Sequence, residues 1–116
     1  MDKLLNYAKS NVDLCVTHDS INKGLYAEYG VKKGLRDENG QGVLTGLTNI
    51  SQITAFKYID GVKTPCDGEL LYRGYNVQDI VNGSTGKKFI FEEGAYLLLF
   101  GELPTESQLR KFKIAL

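Results

Sequence analysis

Histidine and cysteine are scarce in this sequence, with one and two residues respectively, which leaves few side chains for metal binding or acid–base catalysis. Cys15 and His18 have the spacing of half a zinc site, but such sites usually need three or four protein ligands and no second pair exists. We therefore predict no metal site and place His18 at a surface or a helix end. One histidine and no nucleophile-elbow pattern also argue against a self-contained hydrolase.

Net charge and long apolar runs are also lacking. Lys and Arg together number 14, as do Asp and Glu, so no electrostatic field would gather nucleic acid or an anionic membrane. No apolar stretch reaches the length of a membrane span or a signal peptide. Cys15 and Cys66 lie far apart, which favours a reduced protein. We predict a cytoplasmic location and neither nucleic acid nor membrane as a partner.

The residues that are present favour one ordinary soluble domain, since 42% of the 116 residues are hydrophobic. Apolar residues recur at helical spacing in several places. Ser20 and Asn76 are suitable N-caps, Thr105 with Gln108 forms a capping box, and Gly30 is a stop signal. Together these signals predict helices at about 2–16, 20–29, 77–82, 91–100 and 105–116.

A smaller β element is predicted in the middle of the chain. Residues 50–59 are rich in β-branched and aromatic side chains, Asp60-Gly61 then supplies a turn, and residues 69–73 resemble a partner strand. The intervening "GVKTPCDG" is longer than a tight hairpin loop, so we expect a small irregular β-ribbon. Residues 30–46 carry five glycines and are expected to form one long surface loop.

The predicted helix at 91–100 is apolar nearly all round, which requires neighbours on every side. The other predicted helices are too few to cover it comfortably. The chain ends at "KFKIAL" without a helix stop signal. We therefore expect a mainly α fold that is truncated.

Two arginines are candidates for anion binding. Arg36 lies in the glycine-rich "KKGLRDENGQG", where backbone N–H groups, Lys32 and Lys33 could join it in holding a phosphate or a carboxylate. A solvated loop charge is the alternative. Arg73 stands between two tyrosines in "ELLYRGYNVQDIV", where it is either an anion ligand or a structural tie.

Four linked blocks follow one another along the second half of the chain: Tyr58-Ile59-Asp60-Gly61, Gly68-Glu69-Leu70, Tyr72-Arg73-Gly74-Tyr75 and the run from Phe91 to Thr105. In this order they resemble the N-terminal segment of citrate synthases and of the related 2-methylcitrate synthases. The resemblance is strongest over residues 58–116. It implies that residues 1–116 are the helical part of the citrate synthase large domain, with Arg73 and Gly74 in a strand-to-helix corner.

The resemblance also implies an activity for the full-length chain. Citrate synthases are acyltransferases of the tricarboxylic acid cycle, normally homodimers, which condense acetyl-CoA with oxaloacetate to give citrate and CoA. They need no cofactor beyond the co-substrate acetyl-CoA. Their catalytic histidines and aspartate lie in later segments, so the resemblance implies no catalytic residue in this chain. Arg36 is the match for an arginine that contacts CoA phosphates in some members.

Two other functions compete with this interpretation. One is a 2-methylcitrate synthase, which uses propionyl-CoA. It competes because the substrate pockets that distinguish the two activities lie outside this segment of the family's sequence. The other is a stand-alone helical module whose exposed apolar face binds a partner protein. A complete core and a monomeric, cooperative unfolding transition would favour the module.

Overall fold

The computed structural model describes residues 2–32, 34–37, 39–83 and 90–116. These residues form six helices and three strands in the order α1 (Asp2–Ser10), α2 (Val12–Asp19), α3 (Gly24–Glu28), β1 (Ser51–Ile59), β2 (Val62–Tyr72), β3 (Tyr75–Asn76), α4 (Val77–Gly83), α5 (Ile90–Phe100) and α6 (Glu106–Ala115). Helix is the larger share, but the antiparallel sheet has three strands, so the mainly α expectation is met only in part. Within these ranges, no helix is long and apolar enough to cross a membrane.

The helix predicted over 2–16 is divided in two at Asn11. Its side-chain amide donates to Tyr7 O at 2.8 Å, and the Ser10 hydroxyl donates to the same carbonyl at 2.9 Å. These local bonds compete with the helical hydrogen-bond ladder, and Asn11 has φ −115° and ψ 9°. The periodicity of the apolar residues did not reveal this break.

The helix predicted over 20–29 is much shorter in the structure. Ser20 does not cap it, because the Ser20 hydroxyl donates to Val16 O at 2.7 Å and thereby belongs to the end of α2. Helix α3 begins only at Gly24, whose N–H donates to Asn22 Oδ1 at 2.8 Å. The first turn is therefore held by a residue that the sequence analysis did not select.

The other two predicted helix starts are present. Asn76 Oδ1 accepts from Gln78 N at 2.8 Å at the start of α4. At α6, Gln108 N donates to Thr105 Oγ1 at 3.3 Å and Thr105 N donates to Gln108 Oε1 at 2.8 Å, which completes the capping box. Each pair satisfies backbone donors that a helix start leaves without partners.

The β element is a long hairpin with one irregularity in its pairing, as predicted, but the segment over 62–68, which was predicted as loop, is strand. Asp60 and Gly61 both have positive φ, 51° and 78°, which gives the two-residue turn that suits antiparallel strands. The pairing shifts at a bulge next to Phe56, which faces Pro65. A bulge accommodates the missing N–H of proline, so "GVKTPCDG" need not be a loop.

The core is a small aromatic cluster between α1, α5 and α6. Tyr96 and Leu97 are fully buried, and Phe100 and Phe112 nearly so. The Tyr96 ring lies 4.5 Å from the Phe100 ring and 5.6 Å from the Phe112 ring between centroids. Tyr7 of α1 covers the cluster edge-on at 6.2 Å from Phe100.

Helix α5 is buried on one side only, in agreement with the expectation that the other helices are too few to cover it. Phe91 is 78% exposed and Leu99 is 53% exposed on its other side. The predicted shortage of covering helices is thus visible as an open apolar face.

Among the side chains of the described residues, one buried polar atom is left without a hydrogen-bond partner, the Tyr96 hydroxyl. Burial, and then the nearby Tyr7, raise the pKa of Tyr96 above its usual value of 10. We expect Tyr96→Phe to raise the free energy of unfolding by about 1 kcal/mol, because an unsatisfied buried hydroxyl costs energy. Urea unfolding at one fixed chain concentration measures this.

The same substitution changes the alkaline pH dependence. Because the pKa of Tyr96 is higher in the folded than in the unfolded chain, its contribution to the free energy of unfolding is fully present below pH 10. That contribution is lost as the pH rises through the folded-state pKa. Tyr96→Phe should therefore weaken the loss of stability above pH 10. A variant less stable than the parent at pH 7 would show that the hydroxyl has a partner in solution.

Candidate functional site

The corner at Arg73 and Gly74 is a tight turn between β2 and β3. Arg73 has φ 49° and Gly74 φ 87°, while Tyr72 pairs with Tyr75 across the turn. The Arg73 N–H donates to Ile50 O at 2.8 Å, which holds the corner against the start of β1. The turn directs the arginine side chain back toward the ends of two helices.

All five guanidinium N–H donors of Arg73 are satisfied by the protein. Nε and Nη2 donate to Leu98 O at 3.2 and 2.9 Å, Nη1 donates to His18 O and to Asn49 Oδ1, both at 3.0 Å, and Nη2 donates to Asp19 Oδ1 at 2.8 Å. The side chain is only 4% exposed. No donor remains for a substrate anion, so the geometry is that of a structural tie.

The positive charge of Arg73 meets the negative ends of two helix dipoles. Leu98 O lies in the last turn of α5, and His18 O lies in the last turn of α2, where backbone carbonyls lack helical partners. Asn49 adds a bond from its amide to His18 O at 2.6 Å. Asp19 is 53% exposed, so its ion pair with Arg73 is screened and contributes less than the carbonyl contacts.

His18 is half-buried at the end of α2, the kind of position predicted for it. Its Nδ1 lies 3.1 Å from Leu14 O, and its ring packs against Gly101. A Cβ at Gly101 would lie 2.6 Å from both Cβ and Cγ of His18.

The Sγ of Cys15 points to Leu99 O at 3.9 Å. Among the described residues, no three or more His, Cys, Asp or Glu are grouped to hold a metal ion.

Arg36 lies apart from this tie, in a short hairpin-like turn of the glycine-rich segment. It bridges to Gly42 across the turn, and its Nη1 donates to Gly40 O at 2.7 Å. Asp37 Oδ1 accepts from the N–H groups of Asn39 and Gln41, both at 2.9 Å. The guanidinium group of Arg36 is thus held at an exposed surface.

The described residues of the glycine-rich segment form a surface loop, as predicted, and backbone hydrogen bonds join its two arms. Lys32 N donates to Leu44 O at 2.8 Å and Val43 N donates to Leu35 O at 3.2 Å. Lys32 is exposed on one arm of the turn. Lys33, the other lysine proposed for anion binding, lies outside the described residues.

Sequence reasoning missed Asn49 and Asp19, which complete the contacts of Arg73. Neither residue belongs to a recognisable motif, and both lie more than twenty residues from Arg73 along the chain. Only the fold brings them together.

Comparison with known proteins shows which family the chain is similar to. The model of the family described as "Citrate synthase, C-terminal domain" matches residues 35–116. A citrate synthase of Saccharolobus solfataricus is 43% identical over 75 residues, which cover 64% of this chain and 18% of that protein. The 2-methylcitrate synthase 1 of Corynebacterium glutamicum is 42% identical over 82 residues, covering 71% and 16%.

A third relative extends the match toward the start of the chain. The peroxisomal citrate synthase of Dictyostelium discoideum is 35% identical over 99 residues, covering 84% of this chain and 18% of that protein. The chain therefore spans less than a fifth of the length of these three relatives. No solved structure matches it.

Proposed function

The chain belongs to the citrate synthase family, and from this we propose that it is the N-terminal part of an acyltransferase that condenses acetyl-CoA with oxaloacetate into citrate and CoA. The observation that carries the proposal is the family match over residues 35–116, joined by relatives named citrate synthase. On this proposal residues 1–116 are the helical part of the large domain. The full-length protein is a cytoplasmic homodimer that needs no further cofactor.

The 116-residue chain alone is inactive on this proposal. Enolising the acetyl group requires a base and an electrophile that converge on it. His18 is the one histidine, and its ring lies between Leu14 O and Gly101. One contribution of this chain to the enzyme is then structural, because Arg73 fixes the ends of α2 and α5 to the sheet.

Arg36 is the residue proposed to contact substrate, through a phosphate of CoA. Its support is the exposed guanidinium group on an anchored turn, which suits a charge-assisted bond to phosphate. Lys32, on the arm of the same turn, adds positive charge. Arg73 is not proposed for this role because its donors are fully used within the fold.

A second candidate is 2-methylcitrate synthesis from propionyl-CoA. The names of two relatives favour it, the 2-methylcitrate synthases of Corynebacterium glutamicum and Shewanella oneidensis, the latter 51% identical over 47 residues. A stand-alone module with a complete core is disfavoured by the small aromatic cluster and the open face of α5.

The test is a steady-state assay of CoA release with the 116-residue chain and with the full-length polypeptide. We expect turnover from the full-length polypeptide, and none from the chain alone. Comparing acetyl-CoA with propionyl-CoA then separates the two candidate activities. Citrate formation by the 116-residue chain would contradict the proposal.

In the same assay, Arg36→Ala in the full-length polypeptide should raise KM for acetyl-CoA about tenfold, the effect of losing one charge-assisted hydrogen bond. Arg110→Ala is the matched control, since Arg110 is an exposed arginine on α6. Equal KM values for the two variants would remove Arg36 from the binding site.

A further inference from the structure

The sequence contains two Asn-Gly steps, Asn39-Gly40 and Asn82-Gly83. In such a step the backbone nitrogen of the glycine can attack the side-chain amide carbon of the asparagine, because no Cβ on the glycine obstructs the approach. This reaction is one reason why asparagine is a thermolabile residue. It is intramolecular, so its rate depends on whether the backbone can bring the two atoms together.

Asn39-Gly40 lies at the tip of the turn that carries Arg36, between the bridged residues Arg36 and Gly42. Both residues of the step are exposed, and a Cβ at Gly40 would meet no heavy atom within 4 Å. None of the described residues makes a hydrogen bond with the Asn39 side chain. The Gly40 N–H donates to Asp37 O at 3.0 Å, an exposed turn bond whose loss costs about 1 kcal/mol. The tip can therefore rearrange at little cost.

Asn82-Gly83 lies instead in the last turn of α4 (Val77–Gly83). A helix holds ψ at about −42°, so the atoms that must meet are fixed by the helical backbone. Each N–H inside a helix also donates to the carbonyl four residues earlier. The end of α4 has to open before this second step can react, so the two identical dipeptides lie in opposite settings.

The structure assigns Asn39 as a site of spontaneous deamidation. A bond forms between Gly40 N and Asn39 Cγ while the Cγ–Nδ2 bond breaks, and ammonia leaves with the proton of the Gly40 nitrogen. Water, the only co-reactant, then hydrolyses either carbonyl of the cyclic imide and yields aspartate or isoaspartate at position 39. No electrons are exchanged. The reaction does not depend on the acyltransferase proposal.

The product changes the turn that presents Arg36. Arg36 Nη1 donates to Gly40 O at 2.7 Å, and Gln41 N donates to Asp37 Oδ1 at 2.9 Å. Isoaspartate inserts an extra methylene group into the main chain just before Gly40, which displaces the carbonyl that holds Arg36. Aspartate adds a negative charge that competes with an external anion for the guanidinium group. Deamidation therefore limits the time over which Arg36 can bind an anion.

Timed incubation at neutral pH, followed by peptide mapping with mass spectrometry, tests the assignment. Synthetic peptides with the sequences of residues 34–44 and 77–87 give the rate of each step without a fold. We expect Asn39 in the folded chain to react within about tenfold of its peptide, because a single turn bond opposes the reaction. Asn82 should react more than about tenfold more slowly than its peptide, because α4 must open first.

The mass increase reports deamidation alone, since isomerisation of an aspartate leaves the mass unchanged. Protection of Asn39 by more than about tenfold relative to its peptide would overturn the assignment. Equal protection of the two steps would overturn it as well. Asn39→Gln is the matched control, because its longer side chain closes an imide ring less readily. Its peptide should keep its mass, while Asn82 reacts as in the parent chain.

The effect on binding rests on the proposed contact between Arg36 and CoA, so it is measured separately. Asn39→Asp carries the charge of one product. In the full-length polypeptide it should raise KM for acetyl-CoA about two- to fivefold, as expected for a screened surface charge. An unchanged KM for Asn39→Asp beside a raised KM for Arg36→Ala would overturn the effect on binding, whereas the mass measurement alone decides the deamidation.

Discussion

Replacing Arg73 with alanine is expected to lower the free energy of unfolding by about 3–5 kcal/mol. The substitution removes every hydrogen bond of a side chain that is only 4% exposed, so Leu98 O loses its Arg73 donors, while His18 O retains the bond from the Asn49 amide. Both carbonyls close a helix, so the ends of α2 and α5 lose their shared contact. Urea unfolding followed by circular dichroism measures the loss. Because small domains are only marginally stable, a variant unfolded without urea also agrees with the expectation.

Asp19→Asn separates the ion pair from the rest of the tie. Because Asp19 is 53% exposed, we expect this variant to lose less than about 1 kcal/mol. If Arg73→Ala kept the stability of the parent but abolished acetyl-CoA binding in the full-length polypeptide, Arg73 would be a substrate ligand rather than a structural tie.

Gly101→Ala is expected to cost about 2–4 kcal/mol, although it adds a single methyl group. Two separate effects combine at this position. Gly101 has φ +80°, which disfavours any residue with a Cβ. The added methyl would also lie 2.6 Å from His18 Cγ, so the end of α2 would have to move away from α5. The midpoint of urea unfolding measures the cost.

Gly61→Ala is the matched control for the backbone effect. Gly61 has φ +78°, and a Cβ there would meet nothing within 4 Å. We expect it to cost only about 1–2 kcal/mol, the price of the left-handed conformation alone. Equal losses for Gly61→Ala and Gly101→Ala would show that the close packing of His18 on Gly101 contributes nothing.

Sequence patterns correctly predicted the features that depend on residues close together in the chain. The capping box of Thr105 and Gln108 and the cap at Asn76 are local, and both are present. The sequence analysis missed the break between α1 and α2 at Asn11. This break depends on a hydrogen bond from the Asn11 side chain to the backbone, and the spacing of apolar residues carries no information about such a bond. The strand through Pro65 was read as a loop because a bulge depends on the partner strand.

The contacts of the candidate site depend on residues far apart in sequence. Arg73 reaches His18 across 55 positions and Leu98 across 25. The sequence suggested a structural tie as one of two roles for Arg73, and the family resemblance favoured it. Neither could name Asn49, Asp19 or Leu98 as partners, since no spacing rule connects them.

These long separations have a consequence for the order of folding. The turns at Asp60-Gly61 and Arg73-Gly74 close within a few residues, and helices grow from local bonds, so both can form early. The tie between Arg73 and His18 must close a loop of 55 residues, whose entropic cost is repaid only when both ends are already in place. The contact between Arg73 and His18 is therefore expected to form late in folding. Its loss should accelerate unfolding far more than it slows folding.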